Sequence, residues 1–316
     1  MQPDRGDIRS MAVDDNFRHR FGLYSFFLRS CMALVLAAAL LSSHAFANDS
    51  SHVDTGRLYL VCGTALSAGV LIHIYQHNAW WQGQQEPFRF ENDWEYALNV
   101  DKFGHAYGAY SESRLARAVL LWTGFNDDAA LFYGSVFGFT YQTYVEVEDG
   151  YHRSYGFSPG DAIANTIGSS LPLLQRSFPV LSNFSLKYSY FPSRQYLNDL
   201  KSENFRVFID DYEGSVFWIT MDPHFLMSPS AAKALPAWLG LALGIGGHNL
   251  EQPTPGVRNY YLTTDVQFSR IKAGGEFLSA LFGALDFFHF PAPGLAIENR
   301  KLKVGIFYTY NVKVTL

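Results

Sequence analysis

The chain has 316 residues and a formal net charge of −5, and it is 48% hydrophobic, 16% aromatic and only 17% charged. Soluble globular domains carry about 25% charged residues, so we expect part of this exterior to face lipid rather than water. The negative net charge and the lack of a clustered basic stripe exclude nucleic acid as an expected partner. The length accommodates one large domain or two smaller ones.

The N-terminal region has the order of segments that is typical of a secretory signal peptide. Arginines between positions 18 and 29 precede an apolar run over 32–41, and an Ala-x-Ala cleavage motif ends at Ala47. The run has about ten residues, whereas a membrane-spanning helix needs about 20. We therefore predict that residues 1–47 are a signal peptide and that the mature chain is exported to the bacterial cell envelope, in the outer membrane or the periplasm.

The two cysteines predict neither a disulfide nor a lipid anchor. Cys31 lies in the predicted signal peptide, which leaves Cys62 without a cysteine partner in the mature chain. A lipoprotein carries its attachment cysteine after the apolar run, whereas Cys31 precedes it. We therefore expect no lipid anchor and no cysteine-rich metal site.

A first helix is predicted over 57–75, an apolar stretch close to membrane-spanning length. Gly63 and Gly69 would allow another helix to approach it closely. Trp80 and Trp81 follow this stretch, and paired tryptophans are typical of the boundary between a membrane and water. The pattern leaves open whether the helix crosses a bilayer or packs against the rest of the chain.

Three further helices are predicted, over 100–122, 127–147 and 158–175. Ser158 and Pro159 supply an N-cap and a first-turn proline for the last of them. Gly134 and Gly138, four residues apart, predict a face for close helix packing. Together with the first helix, these elements predict a four-helix bundle over 48–190.

From about Tyr188 onward, period-two alternation replaces helical spacing, which predicts strands after a join near 179–192. The predicted strands cover 216–220, 239–247, 261–268 and 302–310, and one helix is predicted over 275–287. The fold class is therefore predicted as α+β, with an N-terminal four-helix bundle followed by a mainly antiparallel β region over 191–316. The alternation and the aromatic content favour a small sheet or partial barrel in contact with lipid.

The predicted helices carry polar residues at spacings that place them on shared faces. These residues form three pairs with members three or four positions apart: Asp101 and His105, Glu146 and Asp149, Asp161 and Asn165. If the helices form a bundle, the pairs can converge on one point. Carboxylates that are buried together cost several kcal/mol unless something compensates them. We expect that compensation from Lys102 or Arg153, from shared protons or waters, or from a metal ion.

Three motifs of this region occur together in a known family. They are Asp101-Lys102-Phe103-Gly104-His105, then Glu146-x-x-Asp149-Gly150, then Gly156-Phe157-Ser158-x-x-Asp161-x-x-x-Asn165-x-x-Gly168. With these motifs, residues 95–172 resemble the YfiM-like family of uncharacterised periplasmic or outer-membrane proteins and, more distantly, the VanZ-like membrane proteins. The resemblance implies an architecture and a cell-envelope location, and it implies no particular reaction. Members of the family are often lipoproteins, which the position of Cys31 does not match.

Two interpretations of the polar residues stay open. In the first, they form a hydrogen-bond network that pins the helices in register. In the second, they form a catalytic or metal site. The candidates for catalysis are then Asp101, His105, Glu146, Asp149, Asp161 and Asn165, and the candidates for binding a divalent metal, either a hard cation or zinc, are Asp101, His105, Glu146 and Asp161. In a catalytic site, His105 paired with Asp101 would act as an oriented base.

Two weaker motifs have simpler explanations. Residues 156–160 match the G-x-S-x-G nucleophile elbow, but that elbow needs a strand before it, and here a polar loop precedes the motif. We therefore predict that Ser158 is a helix cap. His73 and His77 are four residues apart but lack the glutamate of the H-E-x-x-H zinc motif, so we expect an interfacial histidine pair.

The sequence supports three functional hypotheses. The first is a non-enzymatic envelope protein with a structural or envelope-maintenance role. The second is a membrane-associated, metal-dependent enzyme that acts on a lipid or cell-wall intermediate. The third is a lipid-binding module. The expected partners are membrane lipid or envelope components, and the motifs do not settle whether the chain is an enzyme.

Overall fold

The computed structural model of the chain describes residues 52–83, 85–201, 207–250, 255–272 and 274–308, with side chains described as far as residue 305. The predicted signal peptide over 1–47, including Cys31, lies outside the described residues. The described chain from Val53 onward belongs to one compact unit. The predicted α+β class is confirmed, because helices dominate the first half of this unit and an antiparallel sheet follows them.

Seven α-helices are present in the described residues. They are α1 (Thr55–Ala79), α2 (Val100–Trp122), α3 (Asp127–Gly150), α4 (Pro159–Ser177), α5 (Arg194–Lys201), α6 (Pro229–Ala232) and α7 (Glu276–Leu285). The four helices predicted for the front half match α1 to α4 within a few residues at each end. Side-chain caps mark several of the starts; Asn126 before α3 and Ser158 before α4, for example, each accept a hydrogen bond from a first-turn amide.

Helices α2, α3 and α4 form a close-packed trio in which glycines face neighbouring backbone. A Cβ atom at Gly138 would lie 2.5 Å from the carbonyl oxygen of Ala109, and one at Gly168 would lie 2.0 Å from that of Ala106. A larger residue at either position would force the helices apart. The packing face predicted from Gly134 and Gly138 is therefore confirmed.

Helix α1 contacts the trio near its C-terminal end, where Gln76 Nε2 donates to the hydroxyl of Tyr141 at 3.0 Å. Its apolar stretch is exposed, and it is the one helix in the described residues that is long and apolar enough to cross a membrane. A Cβ atom built on Gly63 or Gly69 would meet nothing within 4 Å in the described part of the chain. Within the described residues no helix covers these glycines, so their role in close helix contact stays a prediction, and a bundle of four helices is not confirmed.

A six-stranded antiparallel sheet follows, with its strands in chain order. The strands are β1 (Phe184–Tyr190), β2 (Ser215–Met221), β3 (Leu239–His248), β4 (Val257–Val266), β5 (Ala292–Glu298) and β6 (Lys301–Tyr308). Four of them match predicted strands, while β1 lies in the predicted join. The predicted boundary at residue 190 falls at the end of β1, which pairs with β2. The strand β5 was not predicted, because a proline argues against a strand. Pro293 is accommodated at a register shift between Ala292 and Gly294.

The sheet lies beside the helical trio. On one face it buries an apolar cluster of Val216, Trp218, Ala242, Tyr261 and Ala296. On the opposite face, the ring of Phe217 packs against α2, where a Cβ atom at Gly104 would lie 3.1 Å from it. The hydroxyl of Tyr107 on α2 also donates to the carbonyl of Phe287 at 2.9 Å. These contacts fix the N-terminal half of α2, which carries predicted site residues, against the sheet.

Candidate functional site

Five of the six predicted polar residues come together between α2, α3 and α4. They are Asp101 and His105 of α2, Glu146 of α3, and Asp161 and Asn165 of α4. The side chain of His105 is 18% exposed, and the other four residues are buried. The convergence follows from the i, i+4 spacing, because helices packed at glycines bring such faces into contact.

The imidazole of His105 lies at the centre of this group. Its Nε2 atom is 3.6 Å from Asp101 Oδ1 and 3.7 Å from Asp161 Oδ1. Its Nδ1 atom is 3.6 Å from Glu146 Oε1 and 3.2 Å from Asn165 Oδ1. Acceptor oxygens therefore face both ring nitrogens, an arrangement that favours the protonated imidazolium, which can donate from each of them.

Lys102 supplies a buried cation to the same carboxylates. Its Nζ atom lies 2.8 Å from Asp101 Oδ2, 2.8 Å from Asp161 Oδ1 and 2.9 Å from Asp93 Oδ1, and its side chain is only 7% exposed. These carboxylates come from α2, from α4 and from the segment before α2. Arg153, the other counter-ion that the sequence suggests, has a side chain that is 82% exposed.

Sequence reasoning misses two members of the site, Asp93 and Tyr212. Asp93 pairs with Lys102 and accepts a hydrogen bond from the hydroxyl of Ser158. Tyr212, which lies between α5 and β2, donates its hydroxyl proton to Asp101 Oδ1. Both residues lie in irregular segments, where no periodicity predicts a direction. Here we call the full set the charged cluster; it comprises Asp93, Asp101, Lys102, His105, Glu146, Asp161, Asn165 and Tyr212.

Ser158 caps α4 and also holds the cluster in place. Its hydroxyl accepts from the amide of Asp161 at 3.1 Å, and its own amide donates to Glu146 Oε2 at 3.1 Å. The residues directly before it form a loop with isolated bridges rather than a strand. The cap prediction is therefore confirmed, and the G-x-S-x-G motif lacks the strand–turn–helix context of a nucleophile elbow.

The sixth predicted residue, Asp149, lies outside the cluster, at the end of α3. Trp81 Nε1 donates to Asp149 Oδ1 at 2.6 Å, and burial raises the pKa of this carboxyl to about 7. Farther along α2, Glu112 accepts from Gln142 Nε2 at 2.8 Å, and burial raises its pKa to about 8. Among the described side chains, both carboxyls take a hydrogen bond from a neutral donor and neither forms an ion pair.

The histidine pair of α1 also lies outside the cluster. His73 Nδ1 forms a hydrogen bond with the hydroxyl of Tyr144, and its ring centroid lies 6.2 Å from that of His77 and 6.0 Å from that of Trp81. The two histidines thus join an aromatic group at the C-terminal end of α1. Whether this end lies at a membrane boundary remains a prediction.

Burial and charge act in opposite directions on the ionisable groups of the cluster. Burial alone would raise the pKa of Asp101, but the charges of His105 and Lys102 outweigh it and hold this pKa below its usual range. Burial alone would lower the pKa of His105, but the carboxylates around it outweigh burial and raise this pKa. Burial also raises the pKa of Glu146 to about 8 and that of Asp161 to about 6. At neutral pH, therefore, Glu146 is mainly protonated, while Asp101 and Asp161 face the ammonium group of Lys102 and an imidazole whose pKa is raised.

The cluster contains a possible set of metal ligands. Single donor atoms of Asp101, His105 and Asp161 lie within 4.8 Å of one another. However, Lys102 Nζ lies 2.8 Å from both carboxylates of this set. A divalent cation held by the same oxygens would face that ammonium group at close range, and like charges repel strongly away from bulk water. The residues therefore fit a divalent metal poorly while Lys102 remains among them.

The comparisons with known proteins add a family for part of the chain. Residues 89–177 match a family described as "Predicted periplasmic lipoprotein (DUF2279)". That span includes every member of the charged cluster except Tyr212. No curated protein and no solved structure matches the chain. The finer likeness to YfiM-like and VanZ-like proteins is not confirmed. What the match does support is the cell-envelope location, because residues 89–177 are similar to a family of predicted periplasmic lipoproteins.

Proposed function

We propose that the chain is a non-enzymatic protein of the cell envelope with a structural or envelope-maintenance role. In this proposal, the charged cluster holds the helical trio and the sheet in one fixed arrangement. One observation carries it: the ammonium group of Lys102 lies within 2.9 Å of carboxylates from three separate segments. The partners of such a protein would be membrane lipid or other envelope components.

The energetics of buried charge support a structural role. Removing one partner of a buried ion pair typically costs about 3–5 kcal/mol, because the other charge stays buried alone. Here Lys102 offsets the burial of Asp101 and Asp161 from within the chain and also pairs with the half-buried Asp93, while His105 faces the same two buried carboxylates. The cluster therefore needs no external ligand to compensate its carboxylates, as expected of a network that fixes packing.

An acid–base enzyme is the second candidate, and the exposure of His105 favours it. This side chain is 18% exposed although its neighbours in the trio are buried. A partly exposed imidazole beside carboxylates can pass a proton to a bound molecule. A metal-dependent enzyme that acts on a lipid or cell-wall intermediate is less well supported, because Lys102 competes with the metal. The third candidate is a lipid-binding module, and the exposed apolar side chains are the feature that supports it.

The variant His105→Gln separates the first two candidates. Glutamine keeps hydrogen-bonding atoms near the ring positions but cannot act as a general acid or base near neutral pH. In cells that lack the native chain, we expect folded His105→Gln protein to restore the resistance of the envelope to detergent as well as wild type does. If the variant folds, as judged by its circular dichroism and unfolding transition, but fails to restore resistance, the enzyme hypothesis replaces our proposal.

A further inference from the structure

The face of the sheet that contacts α2 through Phe217 is apolar along its central rows, and away from that contact its side chains are largely exposed. Its central row of directly paired residues crosses all six strands, and it consists of Leu186, Ile219, Leu243, Leu262, Leu295 and Val304. Five members of this row, from Ile219 to Val304, are between 39% and 67% exposed. We call this row, together with the exposed Tyr260, Ile297 and Leu302 of the adjacent row, the apolar face. None of these nine side chains is charged; the nearest charge on this face is Arg258, one row beyond Tyr260, which donates to Leu98 before α2.

The opposite face of the same sheet holds buried polar groups beside the apolar cluster that includes Val216 and Trp218. Lys187 Nζ lies 2.9 Å from Asp265 Oδ2 and 3.1 Å from Asp286 Oδ1, and all three residues are buried. Nearby, Thr263 Oγ1 forms a hydrogen bond with His289 Nε2 at 2.9 Å. A sheet of a water-soluble protein normally buries its apolar face and exposes its polar one. In this sheet the covered face mixes apolar and polar side chains while the exposed face is apolar, as in sheets whose outer face meets hydrocarbon.

The dimensions of the apolar face match a bilayer rather than a small ligand. Strands β3 and β4 have 10 residues each, within the range of about 9–11 residues used by membrane-spanning strands. Six strands spaced about 4.8 Å apart extend about 24 Å when followed along the sheet. Exposed apolar patches on monomeric soluble proteins rarely exceed a few hundred Å². An uncharged band that crosses all six strands complements acyl chains, which offer no polar partner.

Helix α1 gives a second apolar surface in the same compact unit. It has 25 residues, and none of its most apolar 18-residue stretch is buried. At about 1.5 Å per residue, a helix of this length extends about 38 Å, enough to cross the hydrocarbon layer of about 30 Å. Leu60 and Leu71, for example, are 61% and 66% exposed. Two separate elements thus present uncharged side chains outward.

We propose that the apolar face of the sheet lies against the acyl chains of a lipid bilayer, so that the sheet as well as α1 is seated in the membrane. The inference rests on the proposed envelope location. It does not depend on the charged cluster being structural, because the two involve different residues and different measurements.

The test places a dye at single cysteines in a Cys31→Ser/Cys62→Ser background of the full chain. The positions are Leu243→Cys on the apolar face, Leu60→Cys on α1 and Arg153→Cys on an exposed polar loop as the control. Each labelled protein is reconstituted into phosphatidylcholine vesicles, with or without nitroxide-bearing acyl chains. We expect the dye at 243 to shift its emission to the blue and to be quenched by the nitroxide lipid but not by aqueous iodide. The dye at 153 is expected to respond in the opposite way.

Three results would overturn the inference. In the first, the dye at 60 contacts lipid but the dye at 243 is quenched by iodide alone, which would show that α1 anchors a sheet that stays in water. In the second, neither dye contacts lipid. In the third, the dye at 243 shows concentration-dependent self-quenching without lipid, which would assign the face to a second copy of the chain. None of these results alters the unfolding behaviour predicted for variants of Lys102, so the proposed function is tested separately.

Discussion

At the scale of single residues, Lys102 has the largest predicted effect on stability. The variant Lys102→Met keeps the length of the side chain and removes its charge. We expect the free energy of unfolding to fall by about 3–5 kcal/mol, because the nearby carboxylates of Asp101 and Asp161 lose their shared cation while they remain buried. Urea-induced unfolding of the purified protein measures this loss.

The matched control is an exposed ion pair of the same trio. Arg176 Nη2 lies 3.0 Å from Asp128 Oδ1, and their side chains are 60% and 63% exposed. The variant Arg176→Met should cost no more than about 1 kcal/mol, because water screens this pair. Similar small losses for Arg176→Met and Lys102→Met would contradict the structural role of the cluster.

Stability should decrease as pH rises through the neutral range. The pKa of Glu146 is raised from 4.5 to about 8, and that of His105 is raised above 6.5, so the folded state binds more protons than the unfolded state. The stabilisation that these two groups contribute is fully present below their pKa values in the unfolded state. It is lost as the pH rises through their pKa values in the folded state. We expect the free energy of unfolding to fall between about pH 5 and 8. A series of urea titrations at stepped pH measures it.

The variant Glu146→Gln provides the control for this pH dependence. Glutamine keeps the size of the side chain but does not titrate, so the fall in stability with pH should become shallower. The lowered pKa of Asp101 has the opposite effect, because the stabilisation that it contributes is lost as the pH falls. That loss is confined to acid pH, below the usual aspartate pKa of 3.8. Stability that rises from pH 5 to 8, or an equal slope in Glu146→Gln, would be inconsistent with the observed environment of Glu146.

The residues of the site are predictable from the sequence only where they lie on helices. The pairs that include Asp101 and Asp161 are apparent because i, i+4 spacing defines a helical face. Asp93 and Tyr212 have no such pattern, and only the folded chain brings them to the cluster. Lys102 was one of several groups that could offset the buried carboxylates, because the sequence does not specify which cation reaches them.

At the scale of elements, the close approach of α2 and α4 depends on Gly168. A Cβ atom there would lie 2.0 Å from the backbone carbonyl oxygen of Ala106, and this backbone cannot move unless the helices separate. We expect Gly168→Ala to destabilise the protein by about 1–3 kcal/mol, as overpacking commonly does. The control is Gly69→Ala on exposed α1, which should be neutral or slightly stabilising because alanine favours helix. Thermal unfolding compares the two, and a neutral Gly168→Ala would refute close packing here.

Helices and strands differ in how far the sequence predicts them. The bounds of α2 are predicted to the residue, because apolar periodicity and polar breaks coincide at both ends. The strand β1 is less apparent, since its buried Lys187 gives it the pattern of a surface segment. A bundle that includes α1 is not confirmed, because glycines permit close contact but do not supply the neighbouring helix.

At the scale of the whole molecule, two side chains of the β region form hydrogen bonds with the start of α2 and the turn before it. Tyr212 donates to Asp101, and Arg258 of β4 donates to the carbonyl of Leu98 at 3.0 Å and to the side chain of Asn99. Leu98 and Asn99 have φ values of 58° and 66°, a left-handed conformation that is costly for residues other than glycine. The contacts from the sheet therefore hold a strained turn directly before the charged cluster.

The variant Tyr212→Phe tests this connection. It removes one hydroxyl that donates to a charged carboxylate, a hydrogen bond worth about 1.5–3 kcal/mol. We expect a loss of stability in that range by urea unfolding, and less than additive effects when Tyr212→Phe is combined with Lys102→Met, because both act on Asp101. The exposed Tyr151→Phe is the control and should be near neutral. Strict additivity would indicate that the two contacts are independent.

The arrangement of the helical trio against the sheet could not be predicted from the sequence. Periodicity identifies the elements and their apolar sides, but contacts such as that of Phe217 with α2 join residues more than a hundred positions apart. Similarly, the alternation in β3 shows two distinct faces without showing which one is covered. The exposed face proves to be the apolar one, and polar side chains lie on the covered face, only when the buried Lys187 and Asp265 are located.

The central claim is that Lys102, rather than a metal ion, balances the carboxylates of the charged cluster. The most direct measurement is elemental analysis of the mature protein, purified without chelator or affinity-tag metal, beside an Asp101→Ala/His105→Ala variant that still folds. Our account predicts well under one divalent ion per chain in both proteins, with a lower free energy of unfolding in the variant. About one ion per chain in the wild type and none in the variant would contradict it and would favour the metal-dependent enzyme.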